Sequence, residues 1–310
     1  MTTTANTRTD SPWLGSLLAF GALLAAVIWS YAPELADMMA KWSSDPQYSH
    51  AYLVPAFSLY LLWRYCPTST AAFRPSWWGL LLMALGVALR LVGVVVFFDW
   101  LVAASLLPLL AGAVLLVAGP AALRWSWRSI GFLVFMVPLP FRVETALSHP
   151  LQRMATIAST FVLQTLGRPA FSEGNVIVIN DMRLGVEEAC NGLGMLMLFF
   201  AMATAVAMLI ERPWWEKVVV VVSAIPIAVG VNVIRIIATS ILYETAGKYW
   251  GDKVFHDFAG WLMMPMALAA LGLELKFLSH LFIEVKAPER GPLRMNVPTG
   301  RKAPVVPAVR

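Results

Sequence analysis

Val186-Glu187-Glu188-Ala189-Cys190-Asn191-Gly192-Leu193-Gly194 places a cysteine where a polar stretch gives way to an apolar one. Residues 168–188 are polar and rich in turn formers, whereas residues 193–210 are almost wholly apolar. The apolar run is about long enough to cross a bilayer core of roughly 30 Å. A thiol therefore stands at the boundary between water and lipid, at the mouth of a membrane-spanning helix.

The rest of the chain has the same character. Of 310 residues, 59% are hydrophobic and only 13% are charged, about half the charged fraction of a soluble domain. The fold class is an all-α polytopic membrane protein. A net charge of +5 is explained by Lys and Arg beside the spans, so nucleic acid is not an expected partner. Apolar residues 14–31 follow a short segment with one Arg and no small-residue cleavage site, which reads as a retained span.

Apolar runs predict about eight transmembrane helices, at 13–31, 51–66, 77–98, 101–119, a short one at 130–140, then 193–210, 218–243 and 258–277. Arg64 with Arg74, Arg124 with Arg128, Arg212 with Lys217, and the basic tail mark the cytoplasmic connections. The alternate connections, holding Asp37, Asp45, Asp99, residues 141–188 and residues 244–257, face out. Residues 1–12 form a cytoplasmic tail, 13–285 a single transmembrane domain, and 286–310 a disordered basic cytoplasmic tail. Cys66 and Cys190 fall on opposite faces and remain unpaired.

Between the fifth and sixth spans, Val143, Leu147, Leu151, Met154, Ile157, Phe161 and Val162 recur at helical spacing among polar residues. This predicts an amphipathic helix on the outer (periplasmic) surface. The β-branched run 176–179, followed by Asn180-Asp181, predicts a small β-hairpin before the sixth span.

This topology brings Cys190, Arg235 and His256 near one level on the outer side. Cysteine at a helix start often only packs, but a helix N-terminus and a nearby cation lower a thiol pKa toward a nucleophilic thiolate. Glu187 and Glu188 oppose this unless turned away or paired with Arg183. Arg235 sits about 12 Å below the outer end of its span, where arginine is costly and faces a polar cavity or a carboxylate such as Glu244, Asp257 or Glu188. Arg90 is also intramembrane and reads as snorkelling or pairing with Asp99. His256 supplies a group suited to proton transfer, with Asp257 as a helix N-cap. His50 is a second boundary histidine, while His149 and His280 read as surface residues. The Met-rich stretches at 195–202 and 263–266 read as helix packing, with no metal and no cofactor expected.

Five ordered blocks resemble the exosortase/archaeosortase family of membrane-embedded cysteine transpeptidases. They are Tyr48-Ser49-His50-Ala51-Tyr52-Leu53-Val54-Pro55 with Tyr60-Leu61-Leu62-Trp63; Phe135-Met136-Val137-Pro138-Leu139-Pro140; Glu188-Ala189-Cys190-Asn191-Gly192; Pro226-Ile227-Ala228 with Asn232-Val233-Ile234-Arg235; and His256-Asp257-Phe258-Ala259-Gly260-Trp261. The resemblance implies Cys190 as nucleophile, Arg235 as stabilising cation and His256 as proton-transfer residue, with His50, Asn191, Asn232 and Asp257 in support. The family usually has Ser where Asn191 stands and often Gly where Ala51 stands. It further implies an inner-membrane enzyme, its site facing the periplasm, that cleaves exported proteins ending in a short motif, a hydrophobic helix and a basic cluster, as PEP-CTERM proteins do. A thioester would be resolved by an acceptor that the sequence does not identify. The competing reading is a transporter or lipid-handling protein that uses Arg235 and Arg90 to hold an anionic substrate; it predicts an internal duplication, and none is evident.

Overall fold

The computed structural model describes residues 12–67, 73–180, 182–186, 192–253 and 259–281. The two expected terminal tails therefore fall outside the described residues, the last residue of the first tail excepted.

The chain opens with α1 (Pro12–Ser30) and bends by 62° into α2 (Ala32–Ser44). Met38 and Trp42, one turn apart in α2, are both buried, and the Trp42 indole donates to the Met136 carbonyl at 3.0 Å. Asp45 then caps a 3-10 helix, Pro46–Tyr52, by accepting the Gln47 N–H at 3.1 Å, with proline at its start. This turn runs directly into α3 (Leu53–Arg64).

Next come α4 (Trp78–Val95), α5 (Asp99–Ala104) and α6 (Leu106–Phe132), the last continued by a 3-10 turn, Leu133–Met136. Gly79, Gly86 and Gly93, spaced seven apart on α4, are all buried and lie against Leu116, Leu109 and Val102 in turn. The small residues let α4 pack tightly and antiparallel along α5 and the first half of α6. Gly119 interrupts α6 with φ 82° and ψ −173°, a backbone region open almost only to glycine. Beyond it, the second half of α6 pairs antiparallel with α3. Ser58 Oγ donates to the Ser129 carbonyl at 3.1 Å and Ser129 Oγ to the Ser58 carbonyl at 2.5 Å. Phe57 packs on Phe132 with ring centroids 4.7 Å apart.

After the proline-bracketed turn at 137–140 comes α7 (Phe141–Thr165). A three-stranded antiparallel sheet follows: β1 (Ala170–Glu173), β2 (Val176–Ile179) and β3 (Met182–Gly185), in spatial order β1-β2-β3. Gly174 at φ 62° opens the two-residue turn between β1 and β2, and Asn180 at φ 52° begins the next. The expected hairpin is present as β2-β3, with β1 added at its edge. Last come α8 (Gly192–Leu209), α9 (Trp214–Lys253, broken at Gly247) and α10 (Ala259–Leu281).

Among the described residues, three helices are long and apolar enough to cross a membrane, or four if α1 and α2 are one bent span. The chain is a mostly helical, multi-pass membrane protein, but the count of about eight is not reached by this criterion. The fifth expected span, 130–140, is no separate helix: its residues end α6, form the 3-10 turn and then leave helical geometry. Arg90 also differs from expectation. Its guanidinium pairs with Glu34 at 2.6 Å, donates to Ser30 Oγ at 2.6 Å and lies 4.2 Å from the Tyr31 ring centroid. The bend between α1 and α2 supplies these partners, so the carboxylate that Arg90 pairs with is Glu34 and not Asp99.

Candidate active site

The site grows from the hairpin of α8 and α9. A four-residue connection, 210–213, forces the two helices antiparallel. Counting 17 residues back from Leu209 and 17 forward from Trp214 brings Gly192 level with Val231. Phe199 and Ala203 of α8 share one buried core with Val220, Ala224, Ala228 and Val231 of α9. Asn232 therefore stands beside the first turn of α8, and Arg235, half-buried, one turn further out. Ile236 is fully buried in a cluster with Ala155 and Leu163 of α7, with Ile177, Ile179 and Leu184 of the sheet, and with Val186.

The 3-10 helix closes the site from another side. A Cβ on Gly194 would come within 2.5 Å of the Gln47 Cβ, so the first turn of α8 rests on the Gln47 backbone. His50 is 4% exposed, and its Nδ1 donates to the Gln47 carbonyl at 3.1 Å, leaving Nε2 as the acceptor nitrogen. That Nε2 is buried with no hydrogen-bond partner. Burial lowers the His50 pKa, and the backbone carbonyls of Gln47 and Phe135 partly oppose it.

Gln47 and Tyr48 tie this turn to α7. The Gln47 amide donates to Asp45 Oδ2 at 2.6 Å and to Glu144 Oε1 at 2.5 Å. The Tyr48 hydroxyl donates to Glu144 Oε2 at 3.3 Å and accepts the Leu139 N–H at 3.2 Å. Burial, followed by the neighbouring Glu144 charge, pushes the Tyr48 hydroxyl well above its ordinary pKa. The first two sequence blocks thus meet at Tyr48 and Leu139, beside the helix that the third block opens.

Helix α7 covers the site with its polar face inward. Gln152, Ala155, Thr156, Ser159, Thr160 and Leu163 are buried, whereas Val143, Leu147, Met154, Ile157 and Phe161 are exposed. The expected amphipathic helix is present, with the apolar stripe outward as lipid contact requires. The Asn175 amide, in the β1-β2 turn, donates to the Gln152 side chain at 3.1 Å. At the far end of α7, Arg168 pairs with Glu244 at 2.7 Å.

Of the expected site residues, Asn232 lies on α9 level with the start of α8, Arg235 lies one turn beyond it, and His50 is held to the carbonyl of Gln47, on which the first turn of α8 rests. Cys190, Asn191, His256 and Asp257 lie outside the described residues. Arg183 pairs with Glu173 at 3.1 Å. Cys66 is exposed, with no disulfide, and His149 and His280 are exposed as expected. Sequence reasoning missed Gln47 and Glu144, which join the 3-10 helix to α7. The available signal was their position beside the Tyr48 and Pro138-Leu139-Pro140 blocks.

No curated protein and no solved structure matches the chain. The family model described as transmembrane exosortase matches residues 42–273, a span that holds all five blocks and every element around the site, and the chain belongs to the transmembrane exosortase family.

Proposed function

We propose that this protein is a cysteine transpeptidase of the inner membrane that processes exported proteins carrying a C-terminal motif, an apolar helix and a basic cluster. The observation that carries this reading is the family match over residues 42–273, which takes in Cys190, Arg235 and His256. The packing of Gly194, in the first turn of α8, on Gln47 supports it.

In this mechanism the Cys190 thiolate attacks the scissile carbonyl, forming a carbon–sulfur bond. The carbon–nitrogen bond breaks, and the leaving amine takes a proton from His256. Arg235 stabilises the oxyanion or holds the thiolate. An acceptor nucleophile then attacks the thioester and releases the thiol, so transfer competes with hydrolysis. The inward polar face of α7 and the sheet shield this chemistry from bulk water. The site faces the periplasm, following the charge asymmetry of the connections. The competing anionic-substrate reading relied on two intramembrane arginines, and Arg90 already has Glu34 as its counter-ion.

Replacing Cys190 with Ala tests the proposal. The tail of a co-expressed exported protein with such a C-terminal signal should remain uncleaved in Cys190→Ala and be removed by the wild-type chain. Equal cleavage in both would exclude a cysteine enzyme.

A further inference from the structure

Asn232 is 3% exposed on α9, and its Oδ1 is buried with no hydrogen-bond partner. A buried polar atom left unpaired is destabilising by about 1–3 kcal/mol, and asparagine is a poor helix former. Neither property helps the fold, since Val231, its neighbour, already packs on α8. The residue stands level with the first turn of α8 and three positions before Arg235, on the same face of α9. Rotating its amide by half a turn puts an N–H where the unpaired oxygen is, so the position can donate to a carbonyl as readily as it can accept from a backbone N–H.

Resting on the transpeptidase reading, we propose that Asn232 is a substrate-binding residue whose side-chain amide hydrogen-bonds the backbone of the sorting motif at the scissile peptide. The ligand class is an extended peptide backbone, which offers a carbonyl and an N–H and can satisfy an amide in either orientation. Arg235 supplies charge one turn outward, and Asn232 supplies the neutral, directional bond. An unpaired buried amide in the free enzyme is then preorganisation: it is satisfied only when the peptide arrives.

A structural role and a substrate role predict opposite effects on stability. Asn232→Leu removes the unpaired group and keeps the volume. The full-length variant in detergent should unfold at the wild-type temperature or a few degrees higher. Its Cys190 should alkylate with N-ethylmaleimide at the wild-type rate. Processing of the co-expressed exported protein should fall by more than threefold, as expected on losing one hydrogen bond to the bound peptide. Asn232→Ala should give the same pattern should the leucine pack poorly. Processing within threefold of wild type in the better-folded variant would overturn the assignment. So would an unfolding temperature that falls by several degrees together with processing, because the amide would then be structural. Cys190→Ala run alongside separates the two proposals: if it alone abolishes cleavage, only the role of Asn232 fails, and if it leaves cleavage intact, both fail.

Discussion

At the scale of single residues, the site is built from polar groups that the fold buries and holds in one orientation. His50 is the clearest, with one ring nitrogen fixed by the Gln47 carbonyl and the ring shut away from solvent. Its lowered pKa makes the buried ring harder to protonate than the exposed ring of the unfolded chain. As pH falls below about 6.5, the unfolded state takes up the proton first, so the His50 contribution is full above that pH and is lost below it. The limiting slope is about 1.4 kcal/mol per pH unit. Thermal unfolding between pH 7.5 and 5.5 should show the wild type losing stability faster than His50→Gln, and parallel curves would exclude the effect. His50 was legible because histidine at the edge of an apolar run is conspicuous. Gln47 and Glu144 were not, because their importance comes from meeting across 97 residues of chain, which no local pattern records.

At the scale of elements, α6 shows where hydropathy informs and where it misleads. The Gly119-Pro120 pair ends the fourth expected span at the residue where the helix breaks, since glycine alone accepts that backbone and proline restarts a helix. A Cβ on Gly119 would overlap the Arg74 carbonyl. Gly119→Ala should therefore lose about 1–3 kcal/mol, lowering the unfolding temperature by several degrees. Gly131→Ala in the same helix, with nothing within 4 Å of the added Cβ, should be neutral or stabilising. Equal effects from the two substitutions would show that the break carries no strain. After Pro120 the pattern misled. Arg124 and Arg128 lower the hydropathy of residues 121–129, so the sequence reading left out a stretch that the structure keeps in α6. In the structure Arg128 lies 4.6 Å from the Tyr65 ring centroid and the Trp125 indole donates to the Leu62 carbonyl, so polar ends are placed along α3 without breaking the helix. Strand β1 escaped notice for another reason. Ala170–Glu173 has too little apolar alternation to announce itself and exists through its pairing with β2.

At the scale of the whole molecule, the contacts order the elements by depth even where length alone does not show a crossing. Along α6, α4 pairs with residues before Gly119 and α3 with residues after it, so the break divides the helix between two partners. The two ends of α7 meet Gln47 and Glu244, and Gln47 rests on the first turn of α8. On the proposed topology α7 stays on the outer side instead of crossing. A crossing α7 would reverse every later helix and put Cys190 in the cytoplasm. Alkaline phosphatase, active only outside, and green fluorescent protein, fluorescent only inside when exported unfolded, distinguish the cases when fused after Glu173 and after Arg212. The phosphatase should be active at Glu173 and silent at Arg212, with fluorescence the reverse. A fluorescent fusion at Glu173 would place the thiol on the cytoplasmic side, where an exported substrate does not present its cleaved motif.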